Sequence, residues 1–236
     1  MGSLNEETLN TALALLQIPM QVHLISDPSY DANLFLVVSD ETILIDTGTG
    51  LDPDGCVGAL SKILDVKEIS RILLTHRHID HVGGAKAISE ACNATLYASV
   101  GEAPALLAGD QVTTAANMFG KTLERLDVRS FGYDEMISLG SEELRVLHTP
   151  GHTEGSICLY EETSKTLFSG DTVFSHGGVG RWDFPTGNLD QLLVSVENLS
   201  NMPIENMYPG HGPGVKGGAH AHIQASYRSL KVFRLV

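Results

Sequence analysis

The sequence predicts an α/β fold of four layers, an αββα sandwich in which two mixed β-sheets pack face to face and helices cover the outside. Two observations support this fold class. Strand-like segments rich in Val, Ile, Leu and Phe occur in two groups, and helix-like segments follow each group. The 236 residues, 42% of them hydrophobic, are enough for one sizeable core. We therefore predict a single domain over residues 1–236.

The N-terminal part begins with a predicted helix and continues as a β-meander. Ser3 stands three residues before Glu6 and ahead of the apolar segment 9–16, which is typical of a capped helix that ends before Pro19. Turn residues then separate three short apolar segments, as expected of consecutive strands. These predicted strands cover residues 21–26, 33–38 and 42–45.

Helices and strands alternate in the middle of the chain. We predict helices over 54–64 and 84–91, and strands over 69–74 and 94–98. An Ala-, Leu- and Met-rich insertion at about 102–127 is predicted to be helical. It suits either a packed helix pair or a lid over a pocket.

The second half repeats the order of strands followed by helices. Three strand-like segments alternate with turn residues, and a helical segment and a strand end with its loop come after them. These elements are predicted at 144–148, 156–161, 166–169, 188–199 and 207–214.

Charge and cysteine content exclude several classes of partner and site. The chain has 29 acidic and 15 basic residues, and its net charge of -14 repels nucleic acid and anionic membrane surfaces. No Lys or Arg precedes Lys62, and the apolar segment 9–16 is too short to span a membrane, so we expect a cytoplasmic protein. Three widely separated cysteines fit reduced thiols better than disulfides or a Cys-based zinc site.

Histidine and aspartate crowd one short segment that follows the predicted strand 69–74. Residues i, i+2 and i+4 at the end of an extended strand share one side, so His76, His78 and Asp80 can converge. A loop running into a helix would turn His81 toward the same cavity. The spacing predicts a cation site with room for two neighbouring metals.

Three later segments combine one such side chain with glycine, and each follows a strand-like segment. Glycine beside a ligand allows a tight turn and a close approach of the backbone to the site. The pattern predicts four loops that meet at one sheet edge. The three segments, 149–153, 169–172 and 208–212, carry His152, Asp171 and His211.

The predicted donor atoms are imidazole nitrogen and carboxylate oxygen, without thiolate. They suit zinc, our first choice, and also iron or manganese. A single histidine of this kind is more simply explained as a core or surface residue. The whole constellation instead indicates a metal centre, and we predict two divalent metal ions as cofactors.

With these motifs the chain resembles the metallo-β-lactamase-fold hydrolase superfamily over nearly its whole length, and in particular its glyoxalase II-like branch. The resemblance implies the αββα fold, with the metals at one edge between the sheets. All seven ligand positions of the family are filled. It implies a first-metal set of His76, His78 and His152, a second-metal set of Asp80, His81 and His211, and Asp171 as a bridge between them.

Asp46 lies in the segment 44–48, Leu-Ile-Asp-Thr-Gly, which matches a further motif of the family. The aspartate of that motif supports the metal-binding loops without binding a metal. A carboxylate here can fix an imidazole tautomer or hold a ligand loop, and an ordinary turn-capping Asp is the alternative.

The predicted reaction is hydrolysis of an acyl bond in a small-molecule substrate. Two cations that share a water lower its pKa from about 16 toward neutrality, so a bridging hydroxide can attack a carbonyl. One metal polarises the carbonyl oxygen while Asp80, or a metal-bound water, assists proton movement. No Ser or Cys nucleophile is required.

Arg181 is the predicted substrate-binding residue. The stretch 180–184, Gly-Arg-Trp-Asp-Phe, resembles glyoxalase II-like thioesterases and persulfide dioxygenases. An Arg in a Gly-rich loop can grip the carboxylate of a peptide-like thioester, and a structural pair with Asp183 is the alternative. We predict a hydroxyacyl-thioester hydrolase. Glyoxalase II enzymes add a C-terminal helical domain that helps bind glutathione, whereas residues 217–236 suffice for one amphipathic helix.

Three other functions are compatible with the same motifs. A persulfide dioxygenase would hold one iron through the residues matching His76, His152 and Asp171. A lactonase would open its substrate with the same hydroxide. A metal-stabilised module without turnover is the third, and the complete ligand set argues against it.

Overall fold

Two six-stranded sheets form the centre of the part of the chain that the computed structural model describes, residues 20–25 and 32–234. In the first sheet the strands follow their order in the sequence. Strands β1 to β3 are antiparallel, and β3 to β6 run parallel. The strands are β1 (Gln21–Ile25), β2 (Leu34–Val38), β3 (Thr42–Ile45), β4 (Ile69–Leu74), β5 (Thr95–Ser99) and β6 (Val128–Phe131).

The second sheet has the strand order β12-β11-β10-β9-β8-β7. Its β10–β11 pair is parallel and its other pairs are antiparallel. Both sheets are therefore mixed. The strands are β7 (Met136–Ser138), β8 (Glu143–His148), β9 (Ile157–Glu161), β10 (Thr166–Gly170), β11 (Asn206–Pro209) and β12 (Val215–Lys216).

Two of the helices begin at a side chain that caps them. The Asp52 side chain accepts a hydrogen bond from the backbone of Gly55, and the Asn188 side chain accepts one from Gln191. Short 3-10 turns lie at Val66–Glu68, Ala116–Phe119 and Ser175–Gly177. The α-helices are α1 (Pro53–Leu60), α2 (Ile79–Val82), α3 (Ala85–Cys92), α4 (Ala103–Ala108), α5 (Leu189–Ser200) and α6 (Ala219–Phe233).

Alternation along the strands separates three buried layers. In β2, Phe35 and Val37 point into the layer between the sheets, whereas Leu34 and Leu36 join the layer on the outer face. Ile88 of α3 packs into that outer layer. Residues of α5 and α6 form the corresponding layer over the second sheet. This arrangement confirms the predicted αββα sandwich.

The insertion at 102–127 contains less helix than its composition predicts. Helix α4 ends at Gly109, whose φ of 64° is left-handed. The Asp110 side chain then accepts hydrogen bonds from the backbones of Val112 and Thr113, and the Gln111 side chain pairs with the backbone of Leu123. These side chain–backbone bonds satisfy the backbone without a helix, so only α4 and one 3-10 turn form.

Several elements of the structure differ in length from the predicted elements or were not predicted from the sequence. Strands β6, β7 and β12 are two to four residues long, too short to show a readable alternation. The predicted helix over 9–16 lies outside the described residues, and the single domain over the whole chain stays a prediction. Among the described residues no helix is both long enough and apolar enough to cross a membrane.

Candidate metal centre

The ends of five strands meet at one edge of the sandwich, and a predicted functional residue follows each of them. Strands β3 and β4 are parallel neighbours, as are β10 and β11, so their carboxyl ends lie together. The loop after β8 reaches the same edge. The residues carried there are Asp46 after β3, His76 and His78 after β4, His152 after β8, Asp171 after β10 and His211 after β11.

Three histidines form a buried cluster, here called the three-histidine set: His76, His78 and His152. Their ring nitrogens lie within 4.8 Å of one another. His78 Nδ1 is 2.8 Å from His152 Nε2, which is 3.2 Å from His76 Nε2. His152 Nδ1 donates to the carbonyl of Arg181 at 2.6 Å, so its Nε2 is free to present a lone pair to the set.

A second cluster, here called the mixed set, consists of Asp80, His81 and His211. His211 Nε2 lies 3.2 Å from Asp80 Oδ2. His81 is fully buried, but the side chains of His211 and Asp80 are 34% and 16% exposed. The mixed set therefore opens toward solvent.

Asp171 lies between the two sets. Its Oδ1 is 3.2 Å from His81 Nε2, and its Oδ2 is 3.5 Å from His211 Nε2 and 3.6 Å from His152 Nε2. Asp171 also forms a possible ligand group with His76 and His81. The predicted bridging position thus agrees with the geometry, while metal binding by these residues stays a prediction.

The way in which Asp80 reaches the cluster differs from the sequence-based expectation. Strand β4 ends at Leu74, the chain bends at residues 75 and 76, and His78 is extended just before the next helix. Asp80 and His81 lie in the short helix α2 instead. The backbone N–H of Ile79 donates to the carbonyl of Thr114 at 2.9 Å, which fixes the start of that helix.

Asp46 fixes the orientation of His81. Its carboxylate accepts hydrogen bonds from the backbone and hydroxyl of Thr75 and from His81 Nδ1, each at 2.8 Å. Because Nδ1 donates to Asp46, Nε2 is the nitrogen of His81 that would bind a cation once its own proton is displaced. Asp46 adopts a left-handed φ of 59°, which an aspartate tolerates better than most residues. These contacts are those expected of a residue that supports a ligand loop.

Burial and charge set different protonation states in the two sets. Burial lowers the pKa of His76 well below its usual value and that of His78 to about 3, and neighbouring imidazoles lower both further. Burial would also lower the pKa of His81, but Asp171 and Asp46 raise it well above the usual value. His76 and His78 are therefore neutral near pH 7. When no metal is present, His81 is a charged imidazolium with a proton on each ring nitrogen.

Acidic groups of the centre show the opposite balance. Burial alone would raise the pKa of Asp171, but the nearby charge of His81 lowers it. Burial would likewise raise the pKa of Asp80, but the hydrogen bond from His211 lowers it. Both carboxylates are ionised at neutral pH.

The donor set fits divalent cations. His78 Nε2, His81 Nε2 and Asp171 Oδ1 are buried without a hydrogen-bond partner, an arrangement that costs free energy unless another group satisfies it. A Cβ atom on Gly210 would lie 2.2 Å from Asp171 Oδ1, so only glycine leaves room for that carboxylate. Nitrogen and oxygen donors in this number suit zinc, iron or manganese.

The first sheet holds the loop that carries His211. The Asn33 side-chain amide donates to the carbonyls of Pro209 and Gly212 at 2.9 and 2.8 Å. The Asn33 backbone N–H also donates to the carbonyl of Gly210 at 2.7 Å. Three hydrogen bonds from the start of β2 thus fix a loop of the second sheet.

A cavity of about 300 Å³ adjoins both sets. One part of its wall is polar and includes side chains from both sets, and the other part is apolar. Sequence patterns included Phe184 in the stretch 180–184 but gave no indication of Phe119 or Phe174, which come from other loops. The apolar lining consists of Phe119, Phe174, Val179 and Phe184.

Arg181 also lines this cavity, but its guanidinium already has partners. Its Nε and Nη2 donate to the two carboxylate oxygens of Asp183 at 2.9 and 2.8 Å. The guanidinium carbon lies 4.2 Å from the centre of the Phe184 ring. The structural pair with Asp183 is therefore present, and a grip on a substrate carboxylate stays a prediction.

The sandwich places candidate metal donors at one edge of its two sheets, an arrangement that suits a metal-dependent hydrolase. The model of the metallo-β-lactamase superfamily matches residues 30–211, and the chain belongs to that superfamily. It is a metallo-hydrolase by family, as the resemblance in its motifs predicts.

Relatives agree with this assignment. The chain is 37% identical over 193 residues to the probable metallo-hydrolase MJ0888 of Methanocaldococcus jannaschii, covering 78% of this chain and 88% of the relative. The hydroxyacylglutathione hydrolase GloC of Haemophilus influenzae, a glyoxalase II-like relative, is 29% identical over 203 residues, or 82% and 91% of the two chains. The human acyl-coenzyme A thioesterase MBLAC2 is 32% identical over 209 residues, or 76% and 72%.

A solved structure has the same fold. The crystal structure of TTHA1623 in a di-iron-bound form superposes with a TM-score of 0.72 and is 31% identical. The match covers 86% of this chain and 98% of TTHA1623.

Proposed function

We propose that this protein is a thioester hydrolase that cleaves the acyl bond of a small-molecule substrate with the help of two divalent cations. One observation carries the proposal: two adjacent donor sets, with Asp171 between them, open into a cavity that has an apolar wall. The donors suit the cations, and the wall suits the acyl part of a substrate.

The two sets would each hold one cation, with Asp171 shared. Such a pair supplies Lewis acidity and lowers the pKa of water toward neutrality. We infer zinc as the first choice from the nitrogen and oxygen donors. Iron is the principal alternative, since TTHA1623 has a di-iron-bound form and is 31% identical.

Side chains of this protein would orient the substrate and move protons. Asp80 is ionised at neutral pH, because the hydrogen bond from His211 lowers its pKa against the effect of burial, and it can accept a proton at the cavity. Phe119 and Phe184 line the cavity and exclude water from its apolar side.

The names of two relatives support a thioester as the substrate. GloC is a hydroxyacylglutathione hydrolase and MBLAC2 is an acyl-coenzyme A thioesterase, and both names describe cleavage of an acyl thioester. The two differ in the thiol part, so the shared chemistry is the acyl–sulfur bond. We propose this bond as the one that is cut.

The test is a substrate panel assayed with the full chain loaded separately with zinc, iron or manganese. The panel contains an acylglutathione, an acyl-coenzyme A, an acyl-N-acetylcysteamine, a lactone and glutathione persulfide. We expect thiol release from at least one thioester, and a chelator should abolish it. His78→Ala should lower the rate at least about 100-fold, because it removes a ligand of the three-histidine set.

A matched histidine controls for non-specific effects. His220 is exposed and lies outside both sets, so His220→Ala should keep the wild-type rate. Lactone opening without thioester cleavage would contradict the proposal. Oxygen uptake with the persulfide and one iron per chain would replace it with a dioxygenase.

A further inference from the structure

We propose that Glu102 is a positioning residue that holds the three-histidine set in its ligand geometry. The inference rests on the proposed metal centre, and it concerns a residue that neither the sequence motifs nor the cavity lining single out. One buried carboxylate joins the two loops that together carry all three histidines.

The first loop is held through Arg77, which lies between His76 and His78. The Arg77 side chain is only 4% exposed, and its Nε donates to Glu102 Oε2. Its Nη2 donates to the carbonyl of Gly101 at 2.6 Å. Arg77 therefore points away from the centre and anchors the backbone between two ligands.

The second loop is held through Thr153, which follows His152. Thr153 Oγ1 donates to Glu102 Oε1 at 2.7 Å, and the Thr153 backbone N–H donates to Ser156 Oγ at 3.1 Å. The two oxygens of Glu102 thus serve different loops. Each contact is one residue away from a member of the three-histidine set.

Burial makes this link difficult to replace. The Glu102 side chain is completely inaccessible, and so is that of Thr153. Removing one partner of a buried charge pair leaves the other charge without compensation. Water has no access to Glu102, so we expect the geometry of both loops to change when its carboxylate is removed.

Glu154 provides a matched control, because it also pairs with Arg77. Glu154 Oε1 accepts from Arg77 Nη2 at 2.9 Å, but its side chain is 58% exposed. Water can replace a carboxylate at that position. Glu102→Gln and Glu154→Gln are the same substitution on two partners of one guanidinium. Glu154 itself belongs to the loop of Thr153, so the two carboxylates differ in burial: Glu102 is inaccessible, whereas water reaches Glu154.

The experiment measures metal binding in addition to activity. Each full-length variant is titrated with Co²⁺. Chelator competition gives the dissociation constant of the first equivalent of Co²⁺, which we expect in the three-histidine set, and the visible spectrum reports the coordination of that ion. We expect Glu102→Gln to weaken the first equivalent about 10- to 100-fold and to change the spectrum, as observed when partners of ligands are removed. Glu154→Gln should change the dissociation constant less than about threefold.

A second pair of variants keeps the inference testable if Glu102→Gln does not fold. Thr153→Val removes the hydroxyl that contacts Glu102, and Thr153→Ser retains it. Thr153→Val should weaken the first equivalent and Thr153→Ser should restore it. Thermal unfolding of the metal-free variants separates a loss of metal geometry from a loss of folding.

Several outcomes would overturn the inference. Wild-type affinity and spectrum in Glu102→Gln would do so, as would equal weakening in Glu102→Gln and Glu154→Gln, or a wild-type protein that binds no Co²⁺. If the wild type binds Co²⁺ in both sets but cleaves no thioester, the proposed function fails. The role of Glu102 is then decided by the Co²⁺ dissociation constants of the variants.

Discussion

The three-histidine set and the mixed set differ in burial and in charge, although they share one edge of the fold. All three members of the three-histidine set are buried, and His76 and His78 are neutral near pH 7 because burial lowers their pKa. In the mixed set, His211 is a third exposed and its hydrogen bond with Asp80 raises its pKa against the effect of burial.

This difference teaches that the two sets would take up a cation in different ways. His76 and His78 of the three-histidine set already present unprotonated nitrogens, so a cation meets ligands that are ready to bind. The mixed set holds protons in imidazole–carboxylate pairs, and a cation must displace them. We therefore expect the three-histidine set to load first and the mixed set second.

The largest effect should separate the two sets by single ligand removal. His152→Ala removes a buried member of the first set, and His211→Ala removes the exposed member of the second. We expect His152→Ala to lose the tight equivalent and His211→Ala to retain one cation per chain, with hydrolysis reduced at least about 100-fold in both. Metal analysis after gel filtration measures this. Equal metal loss in both variants would contradict the loading order.

The pH dependence of metal binding should sharpen the comparison. His81 and His211 have raised pKa values without metal, so their protons compete with the cation increasingly as the pH falls. We expect the second equivalent to weaken about tenfold per pH unit for each proton displaced between pH 8 and 6. The first equivalent should change little, since the pKa of His78 is about 3.

Calorimetric titration in buffers of different ionisation enthalpy measures the protons released. Proton release confined to the first equivalent would reverse the assignment of the sets.

Asp46→Asn should act more on the mixed set than on the three-histidine set. An amide cannot accept from both Thr75 and His81 as the carboxylate does, so His81 loses its fixed tautomer. We expect the second equivalent to weaken about 10- to 100-fold and the first to weaken less, since Asp46 reaches His76 only through Thr75. Unchanged metal content and activity would remove the supporting role and leave Asp46 as a turn-capping residue.

Arg181→Gln should give the smallest effect. Asp183 already neutralises the guanidinium, so little charge remains for a substrate carboxylate. We expect KM for an acylglutathione to rise at most about fivefold, with kcat and metal content unchanged. Steady-state kinetics against an acyl-N-acetylcysteamine, which lacks a carboxylate, provides the control. A hundredfold rise would instead support a direct grip on the substrate.

Much of the candidate site could be predicted because its side chains have unusual chemistry and recur after strands. His76, His152 and His211 stand in segments where imidazole, glycine and a preceding strand coincide, and parallel strands bring such segments to one edge. The four-layer fold followed from the same alternation of strands and helices. Metal identity, metal number and a cytoplasmic location stay predictions.

Other features depend on tertiary contacts that leave no local pattern. Glu102 is one acidic residue among 29, and only the fold brings it between Arg77 and Thr153. Phe119 reaches the cavity because Gly109 and Asp110 end the helix that the insertion's composition predicts. The sequence predicted that Asp80 reaches the cluster from an extended strand end, whereas in the structure helix α2 brings it there.

The hydrogen bonds of Asn33 link cation binding in the mixed set to the distance between the two sheets. Asn33 directly precedes β2 of the first sheet, and it fixes the loop that follows β11 of the second sheet and carries His211. Mild denaturant or pressure that loosens the layer between the sheets would strain these bonds and displace His211. If the mixed set holds a cation, the protein would then release it before unfolding, and the released ion would report the earliest separation of the two sheets.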